Sequence, residues 1–566
     1  MEASERTDMA MDKQDGHLPD YAFEERQEMI RGLGYGDEAI RRLQIGVVSS
    51  WGEVNPASIH LDRVCAAVKA GIWAAGGTPR EFVISSICTS MAGNDNYHLP
   101  HRDLVAGYIE TVAKTNLFDG MVFVPVCDDV IPGHLMAAAR LDLPSVVVTG
   151  GYMHLNRYKG AVLDPLAVAP KYHRQFKEGI IDEYEFRQIK DRGCPGIGAC
   201  PVMGTANTMA AMVEALGMTL PGNTATPGSD SRLMRIAFSA GQQVVRLLHN
   251  DIRPSHIMTF DAFKNAIRVL MAIGGSTNAV LHLQAIASEL EFDIQPETFN
   301  LMSEETPFIC DIAPSGSGEN LMRDFDEAGG LQSVLKELEP LLAGHVKTVT
   351  GQSLADNLKT VPVGDRRIIY PLDKPLAKEG GLIFLKGTLA PKGAIIKKSA
   401  VPMELFAHKG PARIFASEEV ACEALIEDQI VPGEVVIVRY VGPKGDPGMR
   451  LLQRFLWILS AKGMQDKVAF VTDGRFSGTN KGCAVGHVTP EAAAGGPLAV
   501  VQDGDMVEIN IPGKELNILI PTEELSARVS AWSPPQKKGL KGYLAIYSKL
   551  AKSAERGAAL NYKPEL

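Results

Sequence analysis

The chain has 566 residues, 45% of them hydrophobic, and a formal net charge of -10 at pH 7. That length calls for two or more domains with real cores, and a mildly acidic balance without a basic stripe argues against a nucleic-acid partner. No apolar run is long enough to span a bilayer, so no membrane partner is expected. The N-terminus, MEASERTDMAMDKQDG, has neither the apolar core of a signal peptide nor the composition of a transit peptide, which leaves a cytoplasmic location. Eight scattered cysteines do not make a disulfide framework; in a reducing compartment they are core thiols, metal ligands or reactive groups.

In chain order, residues 1–33 form a polar surface segment. Strands are predicted at 45–50, 81–86, 121–126 and 145–149, alternating with helices at 61–75, 103–115 and 135–140. This alternation predicts an α/β N-terminal domain with a largely parallel sheet, spanning 34–350. A charged helical stretch covers 172–191, and helices dominate from 231 to 290, broken by GGSTN at 274–278. Beyond residue 351 come Gly-Pro punctuation and short β-rich runs at 382–385, 394–397, 412–415, 435–440, 468–471, 506–511 and 516–520. They predict a C-terminal β-barrel-like domain over 351–566, with a small-molecule site in the cleft shared with the first domain.

Four stretches carry too many glycines and small polar residues for ordinary core: 127–133, 194–209, 274–278 and 472–486. The first follows the apolar run VFVPV and places Cys127 beside Asp128 and Asp129, soft and hard ligands at the end of a strand. The competing reading is a buried thiol followed by helix-capping acids. The last, TDGRFSGTNKGCAVG, sets Ser477 in a loop where glycines allow close backbone approach, as a reactive group or as a turn residue. His98 and His101 flank the same region as metal ligands or hydrogen-bonded histidines.

The ordered motifs CD-x-x-x-PG (from Cys127), CPG-x-GAC (from Cys194), TANTM (from Thr205), GGSTNAVLHL (from Gly274), EGGL (from Glu379), GPKG-x-PGMR (from Gly442), TDGRFSG (from Thr472) and HVTPEAAAGGP (from His487) resemble the dihydroxy-acid dehydratase/phosphogluconate dehydratase family. The resemblance implies an α/β domain followed by a barrel-like domain, assembled as a homodimer or dimer of dimers. It implies a hydro-lyase that removes water from a hydroxy acid, with an iron–sulfur cluster as Lewis acid, magnesium beside it and a serine as proton acceptor. By position, Cys127 and Cys200 are cluster ligands, Asp128 a magnesium ligand and Ser477 the base.

The departures from the family pattern fall on the metal ligands. Ala57 stands where some members carry a cluster cysteine, and Ile87 or Cys88 where an acidic magnesium ligand is usual. Asp129 replaces a lysine that is carbamylated in the family, and Leu451 replaces a glutamate. Phe455, Leu456 and Trp457 replace polar residues, which predicts an apolar wall and a less polar substrate. Cys88 is the expected third cluster ligand, ahead of Cys194 and Cys65, and Asp129 a candidate second magnesium ligand. Three functional readings stay open: a dehydratase-like lyase with altered metal dependence, a non-catalytic partner of an active dehydratase, and a metal-free lyase or isomerase working through Ser477, Asp128 and Asp129.

Overall fold

The computed structural model describes residues 20–88, 91, 95–163, 171–479, 481–534 and 539–562. Of the polar N-terminal segment, residues 1–19 lie outside the described residues, and the remainder forms a helix, Asp20–Gly32. Arg26 ties that helix to the body through the carbonyls of Asn116 and Leu117.

The N-terminal half is built on four parallel strands: β1 (Gln44–Ser49), β2 (Thr78–Val83), β3 (Gly120–Val124) and β4 (Ser145–Val147). Their spatial order is β2-β1-β3-β4. Parallel neighbours need crossovers, supplied by α1 (Leu61–Ala74), α2 (His98–Asn116) and α3 (Val130–Leu141). Every residue of β1 and β3 is buried, because helices cover both faces; this is why these strands read as continuous apolar runs. β2 lies at 78–83 rather than 81–86, since Thr78 and Pro79 enter the ladder opposite Gln44 and Ile45. A helical layer completes this half, with α4 (Thr205–Ala215), α5 (Ser231–His249), α6 (Phe260–Ala272) and α7 (Asn278–Glu289).

The C-terminal half is a nearly closed mixed barrel. Its strands are β5 (Ile383–Leu385), β6 (Gly393–Ile396), β7 (Ala407–Phe415), β8 (Val435–Val438), β9 (Ala469–Thr472), β10 (Ala484–Thr489), β11 (Met506–Asn510) and β12 (Glu515–Ile518). They pair in the order β12-β11-β7-β8-β9-β10-β6-β5, and a bridge from Lys386 to Glu515 joins the two ends. The segment β7-β8-β9-β10 is parallel. Two helices make its crossovers: α8 (Glu418–Ile426) and α9 (Arg454–Ala461).

Alternate residues of the central strands face two cores. Val435, Ile437 and Val471 fill the barrel, while Val436, Val438 and Phe470 face α8 and α9. This corrects the expected apolar wall: Phe455 and Leu456 point away from any cleft into the outer core, and Phe455 stacks on Phe470 with ring centroids 5.1 Å apart. After the barrel, α10 (Gly542–Leu550) returns to the first half. Tyr543 donates to the Pro100 carbonyl at 3.0 Å, and the Leu560 amide donates to Asp103 at 2.9 Å. Among the described residues no helix is long and apolar enough to cross a membrane.

Phe455→Ala is expected to lower stability by about 3–5 kcal/mol, the cost of emptying a closed aromatic site. Denaturant unfolding checks this, and a loss below ~1 kcal/mol would show that α9 is not packed as described.

Candidate active site

β3 runs out at Val124, and its chain is turned by Ser50, whose hydroxyl accepts the Val126 amide at 3.0 Å. Cys127 follows with φ +82, an uncommon backbone state for a residue with a side chain, held here by the surrounding turn. Asp129 occupies the cap position of α3, but its side chain makes no capping hydrogen bond.

Cys88 comes from the loop after β2, and Cys200 from the Gly-rich loop before α4. That loop is held by Asn207, which donates to the carbonyls of Cys200 at 2.6 Å and Val202 at 2.8 Å. Ala57 meets it through backbone alone, its carbonyl accepting the Gly198 amide at 3.2 Å. Ser477 comes from the barrel, on the loop after β9.

These segments close around one cavity of about 50 Å³, lined by Cys88, Cys127, Cys200, Asp128, Ser477 and Leu451. Cys127 shares a hydrogen bond with Cys88, and this, with burial and the nearby Asp128 and Cys200, pushes its thiol well up. Burial also raises the Asp128 carboxyl. The other candidate thiols lie elsewhere: Cys65 is in the core, pushed up to about 12 by burial, and Cys194 is exposed at the end of the helix Glu183–Gly193.

The serine loop is fixed from three sides. Ser477 Oγ pairs with Thr479 Oγ1 at 2.8 Å and accepts the Thr479 amide at 3.3 Å. Asn278, at the start of α7, donates to the Phe476 carbonyl at 3.3 Å and to Thr205 Oγ1 at 3.1 Å; Thr205 Oγ1 in turn pairs with Ser276 Oγ at 2.9 Å. Gly478 lies so close to this knot that a Cβ there would come within 2.5 Å of Ser276 Oγ. The small residues of TANTM and GGSTN therefore form the seat of the serine loop.

Beneath the cavity lies a buried ionic cluster. The two oxygens of Asp129 meet different partners: Oδ2 meets His98 Nδ1, and Oδ1 meets His282 Nε2 at 3.2 Å and Arg475 Nη1 at 3.3 Å. His282 Nδ1 lies 3.4 Å from Arg102 Nη1, and Arg102 pairs with Asp103 at 3.0 Å. Arg475 also donates through Nε to the Met449 carbonyl at 2.8 Å. Burial alone would raise Asp129, but Arg475 and His98 hold it well below the usual carboxylate range. Burial likewise opposes the charged form of His98, and Asp129 overcomes it. His282 is brought down to about 4 by burial. His101 is also lowered to about 4 by burial and does not line the cavity.

Comparison with known proteins places this geometry in context. The N-terminal profile of the dihydroxy-acid/6-phosphogluconate dehydratases matches residues 42–357, and the C-terminal profile matches 367–558. The dihydroxy-acid dehydratases of Caldicellulosiruptor saccharolyticus and Moorella thermoacetica are each 44% identical to this chain, over 94% of it and 97% of their own length. That of Ignicoccus hospitalis is 43% identical over 96% of this chain and 98% of its own. The chain belongs to the dihydroxy-acid/6-phosphogluconate dehydratase family. It is a hydro-lyase by that membership.

One residue of this dehydratase site carries no sequence signal. Lys397, at the end of β6, is 4% exposed, and its ammonium donates to the Gly478 carbonyl at 3.2 Å, directly behind Ser477. Burial, with Lys481 nearby, brings it down to about 7. A pair of lysines after an apolar strand gives no hint that the first is enclosed.

The linkage follows from that depression. Between about pH 7 and the free lysine value near 10.4, the unfolded chain holds a proton that the folded chain has shed, so stability rises with pH across that window. Lys397→Met should flatten the rise, by up to about 1.4 kcal/mol per pH unit, in denaturation midpoints taken from neutral to alkaline pH. An unchanged slope would mean that Lys397 is charged and otherwise compensated.

Proposed function

We propose that this dehydratase removes water from a 2,3-dihydroxy acid or related hydroxy acid, with Ser477 as proton acceptor and Cys88, Cys127 and Cys200 holding an iron–sulfur cluster. The observation that carries the reading is the meeting of three thiols, Asp128 and Ser477 at one cavity between the two halves. Among the described residues no three ligands are gathered for a single metal ion; what supports a cluster is that the three thiols line one enclosed space in which their thiolate forms repel one another, a repulsion that a polycationic core would relieve. A bound cluster supplies a Lewis acid for a hydroxyl that is otherwise a poor leaving group.

The protein's own residues do the rest. With Ser477 as its alkoxide, the C2 proton passes to Oγ and the C2–H electron pair forms the C2=C3 bond as the C3–O bond breaks; the departing hydroxide takes the proton from Ser477 and leaves as water, and the enol tautomerises to the 2-keto acid. Serine is a weak base unless its oxyanion is stabilised, and the Thr479 amide already points a donor at that oxygen. Leu451 and Val202 keep one side of the cavity dry.

Magnesium does not fit in the same way. Both oxygens of Asp129 are engaged by the ionic cluster, and Leu451 offers no ligand, so Asp128 is the one carboxylate among the described cavity-lining residues. A hard divalent cation wants several oxygen ligands. A homodimer in the cytoplasm fits this reading. Supporting it are exposed Val83 on the edge strand β2 and exposed Leu104 and Tyr108, one turn apart on α2.

Ser477→Ala should leave the melting temperature and iron content unchanged and cut keto-acid formation by roughly 10²–10⁴, read by a carbonyl-trapping assay on anaerobically purified protein. Unchanged turnover would remove the serine from the mechanism. Cys127→Ser should lose iron; a wild-type protein with full iron but no lyase activity on any hydroxy acid would favour the non-catalytic homologue.

A further inference from the structure

The ionic cluster under the cavity pairs its charged groups within the chain, and Arg475 Nη2 alone of its guanidinium nitrogens has no hydrogen-bond partner among the described residues. Its members come from four places: His98, Arg102 and Asp103 on α2, Asp129 at the cap of α3, His282 on α7 and Arg475 on the serine loop. None is more than 2% exposed. The permanent cations Arg102 and Arg475 balance the carboxylates of Asp103 and Asp129, and His98, held in its charged form by Asp129, leaves the shell with a surplus positive charge before any ion is added. A divalent cation beside it would bring two uncompensated charges into a space from which water is excluded. It would find Asp128 alone among the described cavity carboxylates, and an apolar Leu451 opposite.

We propose that this chain has exchanged a divalent cation for an internal one: Arg475 and His98, gathered on Asp129, set the electrostatics below the thiol cavity, and the protein neither binds nor needs magnesium. The Asp129 carboxylate then works as a counter-ion, not as a ligand. It holds Arg475, and through Arg475 the peptide that carries Ser477, against α2 and α7. The activity part of this proposal rests on the dehydratase reading; the binding part does not.

The test uses full-length protein with its iron intact, freed of exchangeable metal by a chelator that leaves iron bound. Titration with magnesium chloride is followed by calorimetry and by thermal unfolding. The expected result is no saturable heat, no rise in melting temperature and no magnesium retained on elemental analysis. Keto-acid formation should be equal with magnesium and with chelator. Saturable binding with a rise in melting temperature would overturn the proposal, whatever the activity. A protein inactive in both conditions but silent to magnesium would sink the dehydratase reading and leave this one standing. Asp129→Asn, which keeps the shape and removes the charge, should lower the melting temperature by several degrees because Arg475 is left buried against a neutral amide. If that variant does not fold, His98→Gln supplies a milder loss of the same kind. A full wild-type melting temperature in either variant would show that the cluster does not hold the site.

Discussion

The carboxylate of Asp129 is a buried point at which the two halves of the molecule are joined electrostatically, beneath exposed pairs such as Lys386–Glu297 and Lys514–Glu304. It sits in the turn after the fully buried strand β3 and collects a histidine from α2, a histidine from α7 and an arginine from the barrel. In low dielectric such contacts are strong when every partner is met and costly when one is missing. The cluster therefore specifies one relative placement of the strand turn, which bears Cys127 and Asp128, and the barrel loop, which bears Ser477. The return of α10 to Asp103 and Pro100 fastens the same two halves by hydrogen bonds.

Much of the architecture was legible because burial on both faces leaves a simple trace. β1, β3, β8 and β9 are enclosed by helices or by barrel and helices, so each appears as an unbroken apolar run with turn residues after it. The parallel part of the barrel was less legible. Short apolar strands at close spacing suggest hairpins, yet β7, β8 and β9 run parallel and need α8 and α9 between them. The apolar residues of α9 suggest a cleft wall because they replace polar residues, but the sequence does not say which way a side chain points. Phe455, Leu456 and Leu459 share one face, and the outer core claims that face.

The site divides in the same way. Cys127, Asp128, Cys200 and Ser477 stand in short motifs of glycines and small polar residues, and their chemistry is local enough to read. The meeting of the groups that act on them is not, although Asp129, His282 and Arg475 stand in the same set of motifs. His98 and Asp129 lie 31 positions apart, and Arg475 a further 346, with nothing in the spacing to say that they meet. Lys397 is hidden for a different reason: enclosure of a lysine depends on what the folded loop brings over it, here Gly478 and its neighbours.

The proposed internal charge balance would change what the cavity can select. A metal held by several acids grips a substrate by its carboxylate and is largely indifferent to the rest. Among the described residues the cavity offers three thiols, hydroxyls from Ser477, Thr205 and Thr479, the amide of Gln453, one carboxylate and the apolar faces of Leu451 and Val202. Polar groups enclosed in this way discriminate steeply against a ligand that leaves them unpaired, while an apolar face discriminates among alkyl groups only weakly, by about 1–3 kcal/mol per methylene. On the proposed dehydratase reading, the hydroxyl pattern of the substrate is thus the feature this site reads strictly. On the same reading, a carbon skeleton placed against Leu451 is the feature it reads loosely.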